Sequence, residues 1–104
     1  MRHFFLKNLF IFISSQIIVG NAFATNTSTG TNALASLTTG SNNTANGYLS
    51  LYSNTDGSYN TAAGSLSLYR NTSGHNNSAI GYGSLFSNTE GYNNIAVGTH
   101  SLHS

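Results

Sequence analysis

Beyond position 24, the side chains able to do chemistry are two carboxylates, three histidines and a scatter of serines. Asp56 and Glu90 hold the same place in a repeat of 17 residues, two repeats apart. In a stack of strands that puts them about 9.6 Å from each other, a separation that touches the range of an inverting glycosidase pair. Their register mates are Thr39 and Ser73, so the position reads as a polar turn, which lacks the burial that makes one carboxyl a general acid. Solvated turn residues are expected. His75, His100 and His103 fall at three different repeat positions, and His100-x-x-His103 has no third ligand at metal-site spacing. They are expected to be surface or terminal histidines. No serine sits in a G-x-S-x-G turn with acid and base to follow, and a single Asp cannot supply the oxygens of repeated calcium sites. The expectation is a protein that is not an enzyme and carries no metal or cofactor.

What positions these residues is a tandem repeat. Blocks 38–52, 55–69, 72–86 and 89–103 superimpose at a spacing of 17 residues without insertion or deletion, on the pattern T-x-G-x-x-N-x-A-x-G-x-x-S-L. A period of this length is too short for the usual helix-pair repeats and suits one turn of a β-solenoid. The predicted fold is all-β, a parallel β-solenoid of about 4.5 coils occupying residues 25–104, with four regular coils over 37–104. Residues 25–36 form a degenerate first coil, in which Asn26, Gly30 and Leu34 keep the register and Ser28 replaces the alanine. Atypical terminal repeats are common in such arrays. The sequence stops at Ser104 where a further N-T-x-G is due, which predicts a piece of a longer protein.

Stacking turns each repeated letter into a ladder along the axis. The structural ladder residues are Asn43, Ala45, Gly47 and Leu51; Asn60, Ala62, Gly64 and Leu68; Asn77, Ala79, Gly81 and Leu85; Asn94, Ala96, Gly98 and Leu102. Asparagines in file can bond amide to amide from coil to coil. The segment N-x-A-x-G alternates as a half-buried strand does, G-x-x-S-L is predicted to be a second short strand that brings Leu to the core, and N-T-x-G supplies turn chemistry. Short apolar runs do not fix which face is buried. If Ala points inward, the flanking residues point outward and grow more apolar toward the C-terminus; Ala63, Ile80, Ile95 and Val97 are then a candidate subunit seam, which Tyr48 and Tyr82 could extend. If the phase is reversed, those flanking residues are core.

Composition narrows the class further. A chain of 104 residues without cysteine or proline holds at most one small domain and has no disulfide framework. After residue 24 only Asp56, Arg70 and Glu90 are formally charged, so there is no basic patch to neutralise phosphates, and nucleic acid is not an expected partner. Residues 1–24 read as a secretory signal peptide, with Arg2 and Lys7 ahead of an apolar stretch and Ala22-Phe23-Ala24 as the cleavage site. A short signal helix there, and export of the remainder to the cell surface or medium, are the expectations. Sequons such as Asn71-Thr72-Ser73 arise trivially in an Asn- and Thr-rich repeat.

The strings Asn77-Ser78-Ala79-Ile80-Gly81 and Asn94-Ile95-Ala96-Val97-Gly98 resemble the head repeats of YadA-like trimeric autotransporter adhesins. The resemblance implies a left-handed parallel β-roll, a homotrimer built side by side, display on a Gram-negative outer membrane, and adhesion to host matrix protein, glycan or another cell. The membrane would be reached only through anchor domains that this sequence does not contain. The 17-residue coil is longer than the usual coil of that family, so its added residues enlarge a turn or a strand. The longer unit also looks like repeats of bacterial surface and phage tail-fibre-like proteins. Two further classes compete: a fibre-forming protein of the functional-amyloid or tail-fibre kind, and an ice-binding solenoid using the Thr38, Thr55, Thr72 and Thr89 file. Arg70 interrupts the file beside those threonines and argues against the last.

Overall fold

A computed structural model describes residues 25–104; the predicted signal peptide and its helix lie outside the described residues. Five strands of three residues follow one another: β1 (Thr27–Thr29), β2 (Thr44–Asn46), β3 (Thr61–Ala63), β4 (Ser78–Ile80) and β5 (Ile95–Val97). They pair in parallel in the order β1-β2-β3-β4-β5. Every partner lies 17 residues on, as in Ala45↔Ala62 and Ala62↔Ala79, so the chain is a β-solenoid with one repeat per turn. The degenerate first coil joins the sheet in the same register, with Ser28 opposite Ala45.

Strand alternation decides the facing. Ala45, Ala62, Ala79 and Ala96 are buried, while Thr44, Thr61, Ile80, Ile95 and Val97 are on the outer side or partly so. A methyl group is small enough to let the opposite wall approach. That wall is supplied by Leu51, Leu68 and Leu85, together with Ser50, Ser67 and Ser84, all buried.

The G-x-x-S-L segment departs from the predicted second strand. It is a pair of consecutive turns, closed by Ser50 N–H to Gly47 carbonyl (3.2 Å) and Asn54 N–H to Leu51 carbonyl (3.2 Å). Leu49 and Leu51 have positive φ of 59° and 48°, and their register mates repeat this, with Leu66 at 64°, Leu68 at 50° and Leu85 at 50°. A left-handed conformation costs an L-residue about 1–2 kcal/mol, and burying a leucine side chain returns about 1.5–3 kcal/mol. For the inward Leu51 file the two are comparable, so the strain is held by the packing. The curl also reverses the direction of the backbone donors. N–H groups of Gly47 and Leu49 reach back to the previous coil at Thr29 and Thr31, whereas those of Leu51 and Ser53 reach forward to Ser67 and Tyr69. Each coil is thereby bonded on both sides through a segment that is not a strand.

Candidate interaction faces

Inside the coil the asparagines form two files. In the first, Asn43 Oδ1 accepts both the backbone N–H (2.9 Å) and the Nδ2 (3.2 Å) of Asn60, and Asn60 Oδ1 accepts the same two donors from Asn77 at 3.0 Å each. Asn60 Nδ2 also donates to the Gly74 carbonyl at 2.8 Å. The second file is Asn54, Asn71 and Asn88, the asparagines of N-T-x-G, with Asn71 Nδ2 donating to Asn54 Oδ1 at 2.7 Å and Asn88 Nδ2 to Asn71 Oδ1 at 2.8 Å. Both files meet at one carbonyl: Gly74 oxygen takes Asn60 Nδ2 and, at 3.0 Å, Asn71 Nδ2. In coil 1 the second file's position is Leu37, which packs against the apolar core.

The corner after this file is a backbone nest. Thr55, Asp56 and Gly57 turn three successive N–H groups onto the single Thr72 carbonyl at 3.0, 3.3 and 3.2 Å, an arrangement that elsewhere cradles anions. Here the next coil fills it. A Cβ on Gly57 would collide with the Gly74 carbonyl oxygen and Asn54 Oδ1, which explains the invariant glycine of T-x-G in this chain. Asp56 and Glu90 occupy equivalent corners two coils apart, both with exposed side chains. Among the described residues no further His, Cys, Asp or Glu gathers with them into a group of three.

Every buried side-chain nitrogen and oxygen among the described residues is hydrogen-bonded, so the polar groups left free lie on the outside. The outer side of the sheet carries two columns. One runs Thr27, Thr44, Thr61, Ser78, Ile95; the other runs Thr29, Asn46, Ala63, Ile80, Val97. The face is hydroxyl-rich over the first three coils and aliphatic over the last two, where Ile95 is 73% and Val97 66% exposed. Ala63, Ile80 and Val97 share a column and Ile95 stands beside Val97, so the four residues form one patch. Tyr48 and Tyr82 stand past the glycine corner, both exposed.

A third feature is a column of rings. Tyr52 stacks on Tyr69 with centroids 5.4 Å apart, Tyr69 on Phe86 at 5.0 Å, and Phe86 on His103 at 4.9 Å, with interplanar angles of 11°, 12° and 16°. His75 stacks on Tyr92 at 5.1 Å. Sequence reasoning missed this column because its letters change, although every occupant of the 17-residue step from Tyr52 onward is a flat ring. It also read Asn54, Asn71 and Asn88 only as turn residues, although from Asn54 onward they recur at the same 17-residue spacing as the other asparagines. Comparison with protein-family models, curated proteins and solved structures finds no match to the chain.

Proposed function

We propose that the chain is an exported structural and adhesive module of a bacterial cell surface, working as a side-by-side homotrimer of solenoids. The observation that carries this is the aliphatic patch of Ile80, Ile95 and Val97, with the half-buried Ala63 beside it, on the outer face of the sheet. Exposed apolar area of this kind on a rigid element marks an interaction site. The interior supports the same reading: it is consumed by coil-to-coil bonding and offers no assembly of catalytic groups among the described residues. The hydroxyl- and amide-rich remainder of the surface is suited to contact with matrix protein, glycan or a neighbouring cell. The head-repeat resemblance supports trimer and adhesion together.

Sedimentation equilibrium of the purified chain is the test, with a trimer as the expected state. The variant Ile80→Ala/Ile95→Thr/Val97→Asn installs residues that the same columns carry at Ala63, Thr61 and Asn46, so it is expected to keep the solenoid and become monomeric. A wild-type monomer sinks the trimer. Adhesion is read separately, by binding to immobilised matrix proteins, glycans and cells, and a blank panel removes that half of the proposal.

A second reading, a fibre-forming structural protein, rests on the bonding between coils. From the second coil onward, successive coils meet through a recurring set of contacts, from the sheet register to the asparagine files, so one coil is a template for another. Seeded growth of fibres in place of a discrete oligomer favours it.

A further inference from the structure

In a chain whose repeat dictates identity, departures from the repeat show what stacking does not require. Three of them lie together. The file Leu49, Leu66 continues as Gly83 and His100, and the ring column Tyr52, Tyr69, Phe86 ends at His103. Gly83 keeps the positive φ of its file, 66° against 59° for Leu49 and 64° for Leu66, so the backbone is unchanged and only the side chain has gone. The vacated space is taken by imidazole edges. A Cβ built on Gly83 would lie 2.6 Å from His100 Cδ2, 3.2 Å from His100 Nε2 and 3.6 Å from His103 Cδ2.

His100 therefore turns its Cδ2–Nε2 side, and His103 its Cδ2, toward one region above Gly83. Their centroids are 4.9 Å apart and their planes 78° apart. Two imidazoles bonded to one ion at about 2.0–2.1 Å place their ring centres about 4.5–5.3 Å apart for bond angles between a right angle and tetrahedral. The observed spacing falls inside that interval without rearrangement of the backbone. Each ring has an aromatic neighbour: Phe86 stacks under His103, and Tyr82 meets His100 edge-on at 5.2 Å.

We propose that His100 and His103, over the gap left by Gly83, form an open two-imidazole site for a divalent transition-metal ion of the zinc, nickel or copper class. Imidazole nitrogen suits these ions and not calcium or magnesium. Among the described residues no group of three His, Cys, Asp or Glu converges, so water, or a donor from another molecule, completes the coordination. The sequence spacing alone pointed away from a metal because it sought a third protein ligand; the glycine that makes room for two lies in the coil before.

Titration calorimetry of the purified chain with nickel and with zinc chloride tests the site, together with imidazole proton shifts by NMR. One ion per chain is expected, with shifts at His100 and His103 and none at His75. Three variants use residues that the same files already carry, so each preserves the fold: His100→Leu, His103→Phe and Gly83→Leu. Each is expected to weaken binding by about tenfold or more, since a site with two protein ligands cannot lose one cheaply. Gly83→Leu is the most informative, because it retains both imidazoles and displaces the His100 ring from the position it holds over Gly83. Absence of uptake by the wild-type chain overturns the proposal, as does unchanged affinity in His103→Phe or Gly83→Leu.

Discussion

Replacing Asn60 with alanine is expected to destabilise the solenoid by about 3–5 kcal/mol, with the loss traceable to named atoms. The backbone N–H of Asn77, buried in mid-stack, donates to Asn60 Oδ1 and to no other backbone acceptor. Truncation leaves that donor without a partner at a cost of about 1–3 kcal/mol. The same change removes one of the two donors on Asn43 Oδ1 and one of the two amide donors on the Gly74 carbonyl, and it opens a cavity at a fully buried site. Asn94→Ala is the control. Asn94 donates to Asn77 Oδ1 from both its backbone and its amide, and its own Oδ1 holds no donor among the described residues, so its truncation orphans no buried N–H. Urea denaturation of the two variants should separate them by at least about 2 kcal/mol. Equal losses would mean that the file contributes through packing alone.

Gly64→Ala is expected to be at least as severe, about 4 kcal/mol or more, for a reason that combines conformation with collision. Gly64 sits at φ 134°, and a Cβ there would lie 2.7 Å from both the carbonyl carbon and the oxygen of Gly81. Neither is a flexible side chain that can move aside. At about 4–8 °C per kcal/mol for a domain of this size, the melting temperature should fall by about 15–30 °C. Gly98 divides the two causes. Its φ is 122°, yet a Cβ there would meet only Ser101 Cβ at 3.9 Å. Gly98→Ala therefore carries the conformational strain without the clash, and its loss should stay near about 1–3 kcal/mol. If thermal unfolding gives both alanine variants the same shift, the close approach of successive glycines is not what fixes this position.

The parts of the fold that were legible in the sequence are those where translation by one coil demands the same residue. Alanine, glycine, leucine and asparagine recur because a different shape at Ala62 or Gly64 has no room. The G-x-x-S-L segment was misread because leucine is poorly suited to positive φ, so nothing in the letters Ser50-Leu51 signalled a turn; the strain is repaid by burial, which is a property of the stack. Facing could not be read at Thr61-Ala62-Ala63, where both phases offer an apolar side. Burial of Ala62 settles it. The outer aliphatic patch was visible as a drift from Thr44 and Thr61 to Ile95. The ring column was hidden, because Tyr69, Phe86 and His103 share a shape and not a letter.

The balance inside the coil has a thermal consequence. The buried side chains divide almost evenly, with nine apolar residues from Ala33 to Ala96 beside eight asparagines and serines. Unfolding therefore hydrates amide and hydroxyl surface along with methyls, and the two act oppositely on heat capacity, about −0.26 against +0.45 cal/K/mol per Å². The heat-capacity increment per residue is expected to lie below that of an ordinary hydrophobic core, with a correspondingly shallow curve of stability against temperature in calorimetry. A solenoid held by amide ladders is expected to gain little on mild warming and to surrender little on cooling.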